Sequence, residues 1–151
     1  MKKLFKFCAA VLAAVTVLSL AGCAARSPVT ADEFTKQAKA AGFTVKEEST
    51  TNTEFVKYVS ATKAETGTEL VFISFKTDAA AEETYNSVKS NISTGTSGTS
   101  KTLDSSSYCK YSLVNGELDH TLARMGSTIV YGKTTTTHQN QVDELFKAIK
   151  Y

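Results

Sequence analysis

The sequence predicts an α+β fold: an antiparallel sheet of hairpins with three helices packed on it, in the order α-βββ-α-βββ(β)-α. Three observations carry this. Short turn signals, Glu65-Thr66-Gly67, Asn115-Gly116 and Gly126-Ser127, each separate segments rich in β-branched and aromatic residues. Three other segments place apolar residues at helical spacing. Behind the first 22 residues, 129 remain, a length that suits one domain, 29–151.

Thr30-Ala31-Asp32-Glu33 matches a capping box, in which Thr30 accepts from the Glu33 N–H and Glu33 reaches back. Val29 and Phe34 occupy the staple positions. This helix runs to about Ala41 along the stripe Phe34, Ala38, Ala41, and Gly42 suits the residue just past its end. Thr44 to Thr50 is a strand. Phe55–Ala64 and Thr68–Lys76 pair through the three-residue loop 65–67. That loop puts Phe55, Val59, Ala61, Val71, Ile73 and Phe75 on one side, and Val56, Tyr58, Leu70 and Phe72 on the other. Both sides are apolar, so either helices cover both or the Tyr58/Phe72 face is a patch for a partner; three available helices favour coverage.

Asp78 caps a second helix reaching about Ile92, with Ala81, Tyr85, Val88 and Ile92 on one face. Ser93 to Ser107 is rich in Ser, Thr and Gly and reads as a mobile loop, with at most a short strand near Lys101–Leu103. Tyr108–Val114, Glu117–Met125 and Thr128–Thr134 follow as strands. Thr137 caps a final helix carrying Val142, Leu145, Phe146 and Ile149. A possible tandem repeat underlies this order. Phe55-Val56-Lys57-Tyr58 resembles Tyr108-Cys109-Lys110-Tyr111, and Tyr85, Val88, Ile92 match Val142, Leu145, Ile149.

A two-residue turn at Asn115-Gly116 pairs Leu113 with Leu118, Tyr111 with His120 and Cys109 with Leu122. Cys109, Tyr111, Leu113, Leu118, His120 and Leu122 then form a core face. Tyr108, Lys110, Ser112, Val114, Glu117, Asp119, Thr121 and Ala123 form a solvent face. Gly126-Ser127 pairs Arg124 with Ile129, Leu122 with Tyr131 and His120 with Lys133. Tyr111, His120, Arg124, Tyr131 and Lys133 would thus share a face, and aromatic walls with cationic heads suit a small anion. Cys109 and His120 would lie diagonally, the arrangement of a thiol nucleophile and its base. Asp119 points to the opposite face and makes a poor third member. A buried, inert thiol beside a hydrogen-bonded core imidazole is the preferred explanation, since no third orienting group is evident, and the reading assigns no catalytic residue.

The N-terminus has three parts. Met1-Lys2-Lys3-Leu4-Phe5-Lys6 is basic, Phe7 to Leu20 is mostly apolar, and small residues precede Cys23. The apolar run is shorter than the ~20 residues that span a bilayer. Leu20-Ala21-Gly22-Cys23 resembles the lipobox of bacterial lipoproteins, and the whole layout is similar to small uncharacterised lipoproteins of Gram-positive bacteria. The resemblance implies a signal peptide over 1–22, cleavage between Gly22 and Cys23, a diacylglyceryl thioether on Cys23 and a tether over 23–28. Two acyl chains hold firmly where one binds reversibly, at ~0.8 kcal/mol per buried CH₂.

Loss of the leader removes Lys2, Lys3 and Lys6 and leaves 14 basic residues against 15 acidic. No basic stripe suggests nucleic acid. Cys8 goes with the leader and Cys23 is acylated, so Cys109 alone provides neither a disulfide framework nor a cysteine metal cluster. No metal-ligand spacing, phosphate loop or serine elbow is present, and no cofactor is expected. The sequence therefore reads as a lipid-anchored, extracytoplasmic, non-catalytic binding or protein-interaction domain. The alternatives are a small-anion binder and an enzyme using Cys109.

Overall fold

Local signals start and stop the first helix as expected. The Thr30 hydroxyl accepts from the Glu33 N–H at 3.2 Å, opening α1 (Ala31–Ala40). Glu33 does not complete the box; its carboxylate accepts from the Gln37 amide at 2.7 Å. Gly42, at φ 83°, closes the helix, and the Phe43 N–H reaches back to the Ala38 carbonyl at 3.0 Å. The structure, a computed structural model, describes residues 27–94 and 97–151. The leader and the lipobox with Cys23 lie outside the described residues. Among those residues no helix is long and apolar enough to cross a membrane.

Six further segments follow as far as Asn115: β1 (Thr44–Glu47), β2 (Phe55–Lys63), β3 (Thr68–Phe75), α2 (Asp78–Ser93), β4 (Thr99–Asp104) and β5 (Tyr108–Asn115). Then follow β6 (Leu118–Met125), β7 (Thr128–Thr135), a 3₁₀ turn over Thr136–His138, and α3 (Gln139–Ala148). The strands form one antiparallel sheet in the order β1-β2-β3-β7-β6-β5-β4. The fold is thus the expected α+β sheet of hairpins with three helices, and the optional extra strand is present.

Helices α1 and α3 pack on one face. Phe34 and Ala38 meet Val142, Leu145 and Phe146 over Val59, Ala61, Leu70, Phe72 and Val130. Helix α2 packs on the other, with Ala81 and Tyr85 over Phe75, Cys109, Tyr111, Leu113, Leu122 and Ile129. Each large side chain buried in this way contributes roughly 1.5–3 kcal/mol. The two segments of the possible tandem repeat end in α2 and α3, which lie on opposite faces.

Several local expectations need correction. The β2–β3 loop has four residues, with Lys63 opposite Thr68, not three. One extra residue shifts the register by one and exchanges faces. Val59 and Ala61 therefore join Leu70 and Phe72 beneath α1 and α3, whereas Val71, Ile73 and Phe75 face α2. A bulge between Phe55 and Lys57 turns Phe55 toward Phe75, with ring centroids 5.0 Å apart. Tyr58 and Phe72, expected together, sit on opposite faces. Phe72 is fully buried and Tyr58 half-buried, so the pair forms no exposed patch.

The β5–β6 turn is Gly116-Glu117, with Asn115 opposite Leu118. Gly116 has φ 58°, and Glu117 is not among the residues at positive φ, which matches a turn with glycine first. Every partner moves by two, so faces are kept and neighbours change: Tyr111 meets Leu122 and Leu113 meets His120. The expected solvent face is a second core. Tyr108, Asp119, Thr121 and Ala123 are buried, because the apolar stripe of α3 lands on that side.

Thr77, not Asp78, caps α2, its hydroxyl accepting from the Ala80 N–H at 3.2 Å. Thr137 lies within the 3₁₀ turn, and α3 begins without a side-chain cap. The expected loop holds a six-residue edge strand, β4, exposed along its whole length and paired to β5.

Helix α3 approaches β7 most closely at Gly132. A Cβ there would lie 2.6 Å from Val142 Cγ1 and 3.2 Å from Leu70 Cδ2. Gly132→Ala is therefore expected to destabilise the domain by about 1–3 kcal/mol, read as a lower urea midpoint at unchanged slope. Wild-type stability in that variant would contradict this packing.

Candidate functional site

On the face beneath α2 the register lays side chains in rows across β3, β7, β6 and β5. One row is Glu69, Lys133, His120 and Leu113. The next is Val71, Tyr131, Leu122 and Tyr111. The third is Ile73, Ile129, Arg124 and Cys109. The β6–β7 pairings are those the sequence predicts, and all five candidate ligand residues share the face. They do not converge. Arg124 and His120 are four residues apart on one strand, about 13 Å, with fully buried Leu122 between them.

The first subset is His120, Tyr131 and Lys133. His120 Nδ1 and the Tyr131 hydroxyl are hydrogen-bonded at 2.7 Å, with the rings stacked at 6.1 Å between centroids. Burial, and then the charge of neighbouring Lys133, hold the His120 pKa below its ordinary value. Burial pushes the Tyr131 phenol up to about 12, with Glu69 adding to it. This is a neutral aromatic pair flanked by one cation. Tyr111 stands apart from it, buried, with Lys89 Nζ 5.3 Å from its ring centroid.

The second subset surrounds Arg124. Cys109 does not sit beside His120; it lies directly opposite Arg124. The thiol donates to the Ser105 carbonyl at 3.4 Å, and Arg124 Nη2 approaches the sulfur at 3.6 Å. The expected Cys109–His120 pair is thus not formed, because the two-residue change of register sets Arg124 opposite Cys109 in place of Leu122 and moves His120 opposite Leu113.

Arg124 and Cys109 line an open groove of about 620 Å³ between α2 and the β4–β5 turn, walled by Glu82, Tyr85, Asn86, Lys89, Asp104, Ser105 and Ser106. Arg124 is 5% exposed and Tyr85 2%. The Arg124 contacts are long: Nη1 to the Gly126 carbonyl at 3.4 Å and Nη2 to the exposed Glu82 carboxylate at 3.9 Å. Arg124 Nε and the Tyr85 hydroxyl have no hydrogen-bond partner. Burial raises the Tyr85 pKa well above its ordinary value, so the phenol keeps its proton. Lys89 pairs with Asp104 at 3.8 Å across the rim.

Sequence reasoning found Arg124 but missed Glu82, Tyr85, Lys89, Asp104 and Ser105 as its neighbours. Tyr85 was legible as part of the inner stripe of α2. Which sheet face that stripe covers was not, because no local signal sets it.

On the opposite face Asp119 is fully buried, and neither carboxylate oxygen has a hydrogen-bond partner. Burial raises its pKa and the Asp143 carboxylate adds to the rise, with Lys110 opposing. Asp143 and Lys110 also line a groove of about 490 Å³ along α3 with Asn140, Glu144, Lys147 and Tyr151.

No protein-family model matches the sequence, and no curated protein does. Among solved structures the fold is similar to that of a GTP-binding regulator from Thermotoga maritima. That protein is 13% identical, the match covers 82% of this chain and 92% of the other, and the TM-score is 0.55. At that identity the likeness is one of fold.

Asp119 generates a pH prediction. Its folded pKa lies above the unfolded value, so the folded state holds the extra proton between the two. Stability contributed by the protonated form falls as pH rises through that window. Asp119→Asn should be more stable than wild type at pH 7 by about 1–2 kcal/mol, and the two should converge as pH falls toward about 4. Urea unfolding at a series of pH values checks this; a gain independent of pH would contradict it.

Proposed function

We propose that this chain is a lipid-anchored binding domain on the extracytoplasmic face of a membrane, without catalytic activity. The observation that carries the reading is Leu20-Ala21-Gly22-Cys23 standing six residues before a folded domain. Acylated Cys23 inserts two chains, and the segment 23–28 spans at most about 20 Å when extended. The position of the chain entry supports this. Val29 is buried in the core, and Pro28 lies against the β6–β7 turn, 3.3 Å from where a Cβ on Gly126 would stand. The anchored protein thus turns that end of the sheet toward the bilayer. The Ser105–Ser107 turn is at the same end, since the Gly126 N–H donates to the Ser107 carbonyl at 3.4 Å.

The non-catalytic reading draws support from the register: Cys109 pairs with Arg124, and the His120 imidazole, the base the sequence offered it, lies in another row of the sheet. A small-ligand reading has its own support in the Arg124 groove. A protein partner remains the other class of ligand for a surface-held domain of this kind.

Cys23→Ser should move the protein from the membrane fraction to the soluble or secreted fraction, or leave the leader uncleaved. Mass spectrometry of the wild-type N-terminus should find diacylated Cys23. A bare Cys23 thiol, or membrane retention of a processed Cys23→Ser variant, would overturn the anchor.

A further inference from the structure

We propose that the groove between α2 and the β4–β5 turn binds a small zwitterion of amino-acid type, its carboxylate on Arg124 and the Tyr85 hydroxyl, its ammonium on Glu82 and Asp104. This deepens the reading of the chain as a binding domain and rests on it, but not on the lipid at Cys23.

The first argument is the cost of the apo state. Arg124 is a buried cation, and its contacts at 3.4, 3.6 and 3.9 Å are all long. Its Nε makes no hydrogen bond, and neither does the buried hydroxyl of Tyr85, which lines the same groove. Buried donors without acceptors are unfavourable, and a buried charge without a close counter-ion more so. Both groups are donors, so what they lack is an acceptor. A planar carboxylate matches the guanidinium fork and leaves room for a third bond from the phenol.

Charge selects the ligand class. Two cations, Arg124 and Lys89, and two acids, Glu82 and Asp104, line the groove. The acids sit at the rim, about 60% exposed, and pair with the cations at 3.9 and 3.8 Å. A dianionic phosphate would meet both carboxylates as like charges. A zwitterion instead replaces Glu82 at Arg124 and offers the freed carboxylates an ammonium. The volume, about 620 Å³, lies within the range of small-molecule sites. The Cys109 thiol and the Ser105 and Ser106 side chains complete the wall without adding charge.

The test uses the full chain, extracted in detergent, and follows backbone amide shifts on titration with glycine, acetate and inorganic phosphate at constant ionic strength. Glycine should give saturable shifts confined to residues 82–89, 104–109 and the strand around Arg124. Arg124→Met should weaken binding about tenfold or more, and Tyr85→Phe by a smaller factor. Glu82→Gln should weaken glycine and strengthen acetate, which no longer has to displace the Glu82 carboxylate from Arg124. Arg124→Met should also melt no lower than wild type without ligand, because it removes a buried charge whose counter-ion is distant and whose Nε has no acceptor; Tyr85→Phe serves in its place if it does not fold. The proposal is overturned if glycine and acetate give no saturable shifts, if Arg124→Met or Tyr85→Phe binds as wild type does, or if phosphate binds more tightly than glycine. Cys23→Ser should bind glycine as wild type does, so failure of the anchor and failure of the ligand are read separately.

Discussion

The antiparallel pairing of β3 with β7 holds the molecule together. It joins an N-terminal meander, β1 to β3, to a C-terminal one, β4 to β7, through contacts such as Leu70 with Gly132 and Phe72 with Val130. The pair sits at the centre of the sheet, where both faces are covered. On one side Leu70, Phe72 and Val130 receive α1 and α3, and on the other Ile129 receives α2. A buried hydrogen bond of 2.8 Å between the Thr68 and Thr134 hydroxyls fixes the same pair at its edge. Gly132 lets α3 come close enough to bridge the two meanders. Closing a loop of some 60 residues costs entropy that grows only slowly with length, and the combined apolar burial offsets it.

Covering both faces has an electrostatic consequence. Two charged side chains, Asp119 and Arg124, are buried beneath the helices. Asp119, under α3, meets no donor, and burial pushes it toward its neutral form. Arg124, under α2, cannot discard its proton and has only long contacts. An Asp can relieve its own desolvation by titrating, whereas an Arg must be paired. That difference separates a group that tunes stability with pH from a group that marks a binding groove.

Much of the local structure was legible in the residues. Thr30 and Gly42 bound α1 because a capping hydroxyl and a left-handed residue act within four positions. Gly126-Ser127 set the β6–β7 register correctly, and so placed Tyr111, His120, Arg124, Tyr131 and Lys133 on one face. The loops of the other two hairpins were less secure. At Gly116 the shift was two residues and the faces survived. At Gly67 it was one, and Val71, Ile73 and Phe75 parted from Val59 and Ala61. Strand β4 showed in the pattern only as a short stretch near Lys101–Leu103, because an edge strand solvated on both sides needs no alternation and is held by main-chain bonds to β5.

The chain by itself determined both ends of α1, the β6–β7 turn and the shared face of the five site residues, since each depends on residues a few positions apart. Tertiary structure alone decided that β3 pairs with β7 and that α2 and α3 take opposite faces. Those outcomes depend on which apolar surfaces can be buried together. That competition is settled between segments far apart in the chain, beyond the reach of local pattern.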